Sequence, residues 1–438
     1  MDEGKAPILV SKSGRAAPDV EIRTNPSQAN RRALVFILVT VTLDSMGMGL
    51  LVPVTPKLIL ELSGEGLARA AVFGGWMTAA FAAVQFLAGP ILGSVSDHFG
   101  RRPVLLVSLA AFGLSYVLMG FAPSLAWVFA AQLLTGLFGA TPATAGAYIA
   151  DVTPSAERTR NFGSIAAAFG LGLILGPAAG GILASFGTRM PFFVAAFLSL
   201  ATVVYGALVL RESLPHDLRT AFSWRRANPI GAAHAISRRS QVAMLLAALF
   251  FQRVATIALP ATWPYFTMQE YGWSTRQIGY SLAAYGVATV FMQAGFLRWI
   301  DSHIGTRKAA SMGLTMLALG YLGFAFARGQ WVVLTCIPLT TMGFMAGPAL
   351  VSMLSVRVSS DMQGTLQGVV ASINGGAAVL TPLAMPWIFG VFSAGYAGFV
   401  FPGAPYLLSA VLALVGVASV YFDATSGVKR VAQKEATE

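Results

Sequence analysis

Two charges of opposite sign stand in apolar runs of this 438-residue chain, where a charge is costly: Asp44 within 33–56 and Arg253 within 241–268. Placing one charge at the centre of a membrane span costs roughly 2.5 to 3.5 kcal/mol on insertion scales, so such a group is expected to face a cavity and to do work there. The chemistry open to the pair is proton exchange. A carboxylate held against a cation stays ionised, whereas one left alone in low dielectric takes up a proton. Three readings follow: a contact made and broken to couple proton movement, a permanent structural bridge kept because breaking it is costly, or an Arg253 that meets an anionic substrate group.

The elements that must hold these residues are membrane helices. The chain is 56% hydrophobic and only 11% charged, too apolar for a soluble domain. Its 29 Lys and Arg against 18 Asp and Glu lack a basic stripe with interleaved aromatics, so no nucleic-acid partner is expected. Cys336 is the only cysteine, and His98, His216, His234 and His303 fall in predicted loops, so no metal centre is expected. Residues 1–32 lack the apolar core and cleavage site of a signal peptide and read as a cytoplasmic tail.

Apolar runs long enough to span a bilayer recur near 33–56, 71–93, 103–121, 125–149, 162–186, 190–210, 241–268, 277–299, 309–327, 331–354, 365–392 and 401–422. The expected fold is therefore an all-α polytopic membrane protein of twelve helices. It divides into an N-terminal half (33–210), a polar linker (211–240), a C-terminal half (241–422) and a tail (423–438). With the N-terminus inside, tails and inner loops carry 23 Lys and Arg, whereas outer loops carry only Lys57, Arg69, Arg189, Arg276 and Arg328. Both termini and the linker are expected to be cytoplasmic, in a plasma or inner membrane. The halves read as copies at an offset of about 205 residues: Pro53 with Pro260, Asp97 with Asp301, Gly100 with Gly305, Arg102 with Arg307, Pro142 with Pro348, Gly163 with Gly368 and Pro177 with Pro382. Asp44 and Arg253 then occupy matching helices.

Two motifs add mechanism. The loop Gly93-Ser-Val-Ser-Asp97-His-Phe-Gly100-Arg101-Arg102-Pro is a tight turn carrying an acid and two arginines able to clamp a carboxylate. It resembles the loop signature of the major facilitator superfamily, which implies two pseudo-symmetric six-helix halves. The resemblance also implies that Asp97 and Arg101, with Asp151 at the end of the fourth span, hold the cytoplasmic side closed. The fifth span carries Gly163, Gly172, Gly176-Pro177 and Gly180-Gly181, similar position by position to the helix-5 motif of the twelve-span drug:proton antiporters. Leu43 to Pro53, Ser96 to Ser108, Phe169 to Pro177 and Gln363 to Gly368 resemble the tetracycline efflux proteins of that family.

That resemblance implies export of a small amphipathic, tetracycline-like compound in exchange for protons by alternating access, without an enzymatic reaction. No cofactor is implied beyond the proton gradient, with a divalent metal entering only as part of the substrate complex, and a monomer is expected. Three departures stand against it. Gln132 replaces the family's fourth-helix arginine, Ser115 falls where its third-helix acid lies, and Leu317-Ala318-Leu319 covers its ninth-helix acid. A facilitator or proton symporter for a small metabolite, an anionic one drawn to Arg253, is the rival reading. Gln85, Gln132 and Asn374, along with Gln252 and Gln293, are candidates to line the cavity or to bond between helices. Trp76, Trp263, Tyr265, Phe266 and Tyr285 are candidates to stack on a planar drug or to anchor the chain at the interface.

Overall fold

A computed structural model describes residues 26–139, 141–154, 157–220, 240–293, 304–396 and 398–435, without the side chains at 26–33, 141–142, 159, 218, 240–241, 361 and 424–435. Asp301 and most of the expected linker lie outside the described residues. Among those residues the secondary structure is entirely helical. The N-terminal half holds α1 (Pro26–Leu51), α2 (Thr55–Ser63), α3 (Leu67–Phe99), α4 (Arg101–Gly120), α5 (Leu125–Leu137), α6 (Thr141–Val152), α7 (Arg158–Leu183) and α8 (Met190–Val209). The C-terminal half holds α9 (Ser240–Tyr271), α10 (Thr275–Phe291), α11 (Thr306–Phe326), α12 (Gln330–Thr335), α13 (Ile337–Met342), α14 (Ala346–Val356), α15 (Gln363–Ser393) and α16 (Ala404–Glu435). Ten helical segments among the described residues are long and apolar enough to cross a membrane.

The sequence predicts the first span as one run, 33–56. Pro53 and Pro56 divide it: α1 stops at Leu51, and Pro56 falls in the first turn of α2, where its missing N–H costs nothing. The fourth span, predicted as 125–149, breaks between α5 and α6. Its counterpart in the other half breaks at the matching place, where Gly343–Met345 winds as a 3₁₀ turn between α13 and α14.

Small residues set the helix pairings. Along the parallel α1–α7 seam, a Cβ on Gly172 would strike Ser45 and the Thr42 carbonyl. One on Gly176 would stand 2.6 Å from the Met46 carbonyl, and one on Gly180 would strike the Leu50 carbonyl. The halves meet along α7–α10, where Gly181 faces Thr275 and Arg276, and along α3–α15, where Gly75 faces Pro382 and Pro386. Without a hydrophobic drive between helices in lipid, such close backbone approach is a main source of association.

The apolar core is divided by depth. Its largest cluster draws on both halves, joining Leu50, Ile59 and Ala71 to Trp263, Tyr265 and Tyr406 at the end of the bundle away from the chain termini. Toward the terminal end the clusters separate, one around Phe36, Leu105, Tyr148 and Leu210, the other around Val242, Leu314, Leu350 and Val420. Buried apolar packing is thus shared between the halves at the far end and divided between them toward the termini.

Candidate transport site

Between the halves lies a cavity of about 250 Å³. The N-terminal half contributes Met48, Leu51, Val52, Thr78, Phe81, Tyr116, Gln132 and Thr135 to its wall, and the C-terminal half contributes Ile257, Pro260, Ala261, Pro264, Tyr265 and Pro382. No charged side chain lines it, and its polar groups are hydroxyls and one amide. Such a wall suits an amphipathic molecule held by shape and a few hydrogen bonds.

Helix periodicity places both intramembrane charges next to this cavity. Met48, Leu51 and Val52 lie four, seven and eight residues after Asp44, and Ile257, Pro260 and Ala261 lie four, seven and eight after Arg253. Each charge therefore sits on the cavity-facing stripe of its helix, one turn nearer the terminal end. The side chains diverge from there. Asp44 is only 5% exposed, and its Oδ1 is buried without a hydrogen-bond partner. Tyr116 of α4 lies within electrostatic reach of it, and the Tyr116 hydroxyl is likewise buried without a partner. Gly47 clears room for that ring, since a Cβ there would stand 3.3 Å from the hydroxyl. Tyr116 is thus the side chain that both neighbours Asp44 and lines the cavity.

Arg253 turns the other way. Its guanidinium lies over Gly347 of α14, and it lines a second cavity of about 250 Å³ with Gln293, Thr341, Phe344, Met345 and Pro348. No ion pair joins Asp44 to Arg253, so the permanent bridge among the three readings is not formed in this conformation. Arg253 Nε is buried without a hydrogen-bond partner.

The remaining polar candidates divide. Gln132 lines the inter-half cavity, standing where the resemblance leads one to expect an arginine. Gln85 does not line it; its Nε2 donates to the Gly139 carbonyl at 2.8 Å, satisfying backbone freed where α5 breaks from α6. Asn374 leaves a buried Oδ1 without a partner, and Gln252 is fully buried, its Nε2 donating to Thr256 Oγ1. Trp263 and Phe266 are core residues, with Trp263 Nε1 donating to Ser281 Oγ at 2.9 Å, whereas Tyr265 reaches the cavity.

The Gly93–Arg102 loop forms a compact charged turn at the terminal end. Arg101 bonds Asp97 one helical turn away, reaches Asp151 Oδ2 with Nε at 3.3 Å, and donates to Ser96 Oγ at 3.2 Å. Gly100 turns the chain at φ +107°, a conformation that disfavours a side chain, and nothing crowds Gly93. Arg102 donates to the Ala207 carbonyl at 2.6 Å. The acid the sequence reading missed is Glu212, whose carboxylate accepts from the N–H groups of Arg101 and Arg102 at 2.8 and 3.3 Å and caps the N-terminus of α4. Its only sequence signal is an acid soon after an apolar run, too common to single out.

The matching corner of the C-terminal half is built with the charges exchanged. Where Asp151 closes the fourth span, Arg357 follows α14 and makes a two-pronged bond to Asp423 on α16, with Nη2 to Oδ2 at 2.5 Å. That bond holds the Arg357 guanidinium firmly protonated, above its ordinary range. Arg307, the repeat partner of Arg102, donates to the Val420 carbonyl at 3.0 Å.

In the fifth-span motif the glycines have distinct duties. Gly172, Gly176 and Gly180 face α1, the helix of Asp44, whereas Gly181 and the Pro177 carbonyl face α10 of the other half. Pro177 frees the Leu173 carbonyl, and α10 approaches it closely at Gly286. A Cβ on Gly163 would meet open space. The motif is therefore a seam between Asp44's helix and the partner half.

An all-helical bundle of apolar membrane-length helices, a cavity between its N- and C-terminal parts and this loop define a membrane transporter rather than an enzyme. The Major Facilitator Superfamily model matches residues 37–382 and, overlapping, 254–436, and the chain belongs to that family as a secondary transporter. Among its relatives, the class C tetracycline resistance protein of Escherichia coli is 35% identical over 84% of this chain and 92% of its own length. The class H protein of Pasteurella multocida is 32% identical over 90% of this chain and 96% of its own length. Of solved structures, a bacterial homologue of the human lysosomal transporter Spinster, inward-facing and occupied, superposes with a TM-score of 0.73 at 15% identity, covering 90% of this chain and 97% of that one. The human organic anion transporter MFSD10 gives 0.67 at 23% identity over 89% of this chain and 99% of its own. At these identities the structural likeness speaks to fold.

Proposed function

We propose that the protein exports a small amphipathic, tetracycline-like compound in exchange for protons by alternating access, with Asp44 as the proton carrier. The observation that carries this reading is a buried carboxylate, unpartnered at Oδ1, one turn beneath a cavity shared by the two halves. The relatives' names and the fifth-span seam support it. In this reading the chain makes twelve passes, α5 with α6 and α10 each supplying one, as a monomer in the inner membrane. The domain boundaries are those read from the sequence, both termini are cytoplasmic, and the end where the apolar core divides faces the cytoplasm. Protonation of Asp44 removes an uncompensated charge from low dielectric, and its release on the other side returns the cycle.

The test is substrate-dependent proton movement in inverted vesicles, with tetracycline in the panel. Asp44→Asn is expected to abolish proton-driven uptake while exchange of preloaded substrate persists; full proton-driven uptake in that variant overturns the assignment. A second reading, a facilitator or symporter for an anionic metabolite, is favoured by Arg253 lining a cavity of its own. A protonophore separates them, since it raises cellular drug accumulation under the export reading and lowers metabolite uptake under symport.

A further inference from the structure

Arg253 presents a problem of charge balance that the proton cycle does not use. It is the fourteenth residue of α9, so it lies about 20 Å along the helix axis from the start, beyond the reach of its own side chain to that end. A guanidinium cannot shed its charge by deprotonation, as a buried carboxylate can gain a proton. Its cost in low dielectric therefore has to be met by an anion or by water. Among the described residues no acid forms an ion pair with it, and the only acid within the spans, Asp44, belongs to the other half.

The cavity beside it is built for more than hydration. Its 250 Å³ is a space several times that of one water, and Phe344, Met345 and Pro348 give most of its wall an apolar character. Gln293 and Thr341 add hydrogen-bonding groups beside the guanidinium. Gly347 leaves the guanidinium room against α14, where a Cβ would stand 3.4 Å from Nη2. Gln252 Oε1, buried and without a hydrogen-bond partner, faces the same glycine. One fixed positive charge balances one negative charge, the guanidinium fork matches a carboxylate, and the apolar wall excludes a small hydrated ion.

We infer that this second cavity is a binding site for an amphipathic monoanion, a carboxylate carried on an apolar body. It is separate from the neutral cavity between the halves. The inference rests on the transport reading only in placing the site along a substrate path; binding itself requires neither proton coupling nor export.

The test uses the full chain, purified in detergent and reconstituted in nanodiscs, with 2-naphthoate as the probe and neutral 2-naphthamide as its isostere. Saturable binding of 2-naphthoate is expected, weakened at least about tenfold by Arg253→Gln and less by Arg253→Lys, as loss of a charged hydrogen bond implies. Binding of 2-naphthamide is expected to be weaker than that of the anion and unchanged by either substitution. Gln293→Leu, outside the packed core, keeps the test open if Arg253→Gln fails to fold, and is expected to weaken 2-naphthoate alone. Equal affinity for acid and amide, or undiminished 2-naphthoate binding in the folded variants, overturns the inference. Asp44→Asn is expected to bind 2-naphthoate as the wild type does. Loss of proton-driven uptake in that variant thus supports the antiport reading and retained uptake condemns it, and with 2-naphthoate binding intact neither outcome touches this inference.

Discussion

Gly176→Ala probes the seam that carries Asp44's helix. A Cβ at 176 would stand 2.6 Å from the Met46 carbonyl oxygen, 2.8 Å from Gly49 Cα and 3.0 Å from Gly49 carbonyl carbon, against 3.4 Å for ordinary contact. The shortfall is about 0.8 Å, and every atom in the way is backbone, so no rotamer change relieves it. Helices α1 and α7 must part, and the neighbouring contacts at Gly172 and Gly180 part with them. Overpacking of this kind costs about 1–3 kcal/mol, and the loss falls at the upper part of that range because the whole seam moves. Thermal unfolding in detergent, followed by tryptophan fluorescence and by size-exclusion recovery, is expected to show a midpoint lowered by several degrees. Transport is expected to fall with it, because Asp44 rides on the displaced helix. Gly163→Ala is the internal control: nothing lies near it, and alanine in a helix is favoured over glycine by roughly 0.5–1 kcal/mol. If Gly176→Ala and Gly163→Ala melt together, the close-approach argument is wrong.

Tyr116→Phe removes a buried hydroxyl that has no partner, so unfolding midpoints are expected to hold or rise, while proton-driven transport is expected to drop because that hydroxyl is the polar group between the cavity and Asp44. Unchanged transport would remove Tyr116 from the path between cavity and carboxylate. Arg357→Ala leaves Asp423, whose side chain is only 6% exposed, with the longer Arg307 contact at 3.8 Å alone, and is expected to cost about 2 kcal/mol of thermal stability, much of it recovered in Arg357→Ala with Asp423→Ala. A double variant no better than the single would argue that the pair is not the source of the loss. Glu212→Gln keeps the shape of the α4 cap but loses its charge, and a stability loss of about 1 kcal/mol is expected by the same melting assay.

The charges in the spans were legible because an ionisable residue in an apolar run has few innocent explanations, and the repeat offset put Asp44 and Arg253 at matching depth; that Arg253 turns away to line a cavity of its own depends on side-chain packing against α14 that no spacing shows. The nearness of Arg101 and Asp151 was implied by the family resemblance rather than by spacing, since the two lie fifty residues apart. Tyr116 was hidden, because a tyrosine in an apolar helix looks like any other core aromatic until its hydroxyl is found without a partner. Glu212 was hidden because its role depends on the chain folding back over the start of α4, a contact more than a hundred residues long in sequence. Fifth-span spacing named the glycines but not their duties: Gly163 and Gly176 look alike in sequence and differ wholly in surroundings. The breaks at Pro53 and between α5 and α6 were written in the sequence as prolines and glycine, but hydropathy smoothed over them.

The exchanged corners of the two halves have a consequence for how the molecule works against salt. Asp151 is answered by Arg101 and Arg357 by Asp423, each within its own half, so among the described residues no ionic link at this end has to be torn for one half to rock against the other. Screening by dissolved ions acts on exposed attractions across a gap, and among the described residues no ion pair crosses between the halves for it to weaken. The resistance to motion lies instead in glycine-lined backbone contact, which ions do not reach. Motion between the halves is therefore expected to answer more to the thickness or stiffness of the lipid than to the ionic strength around it.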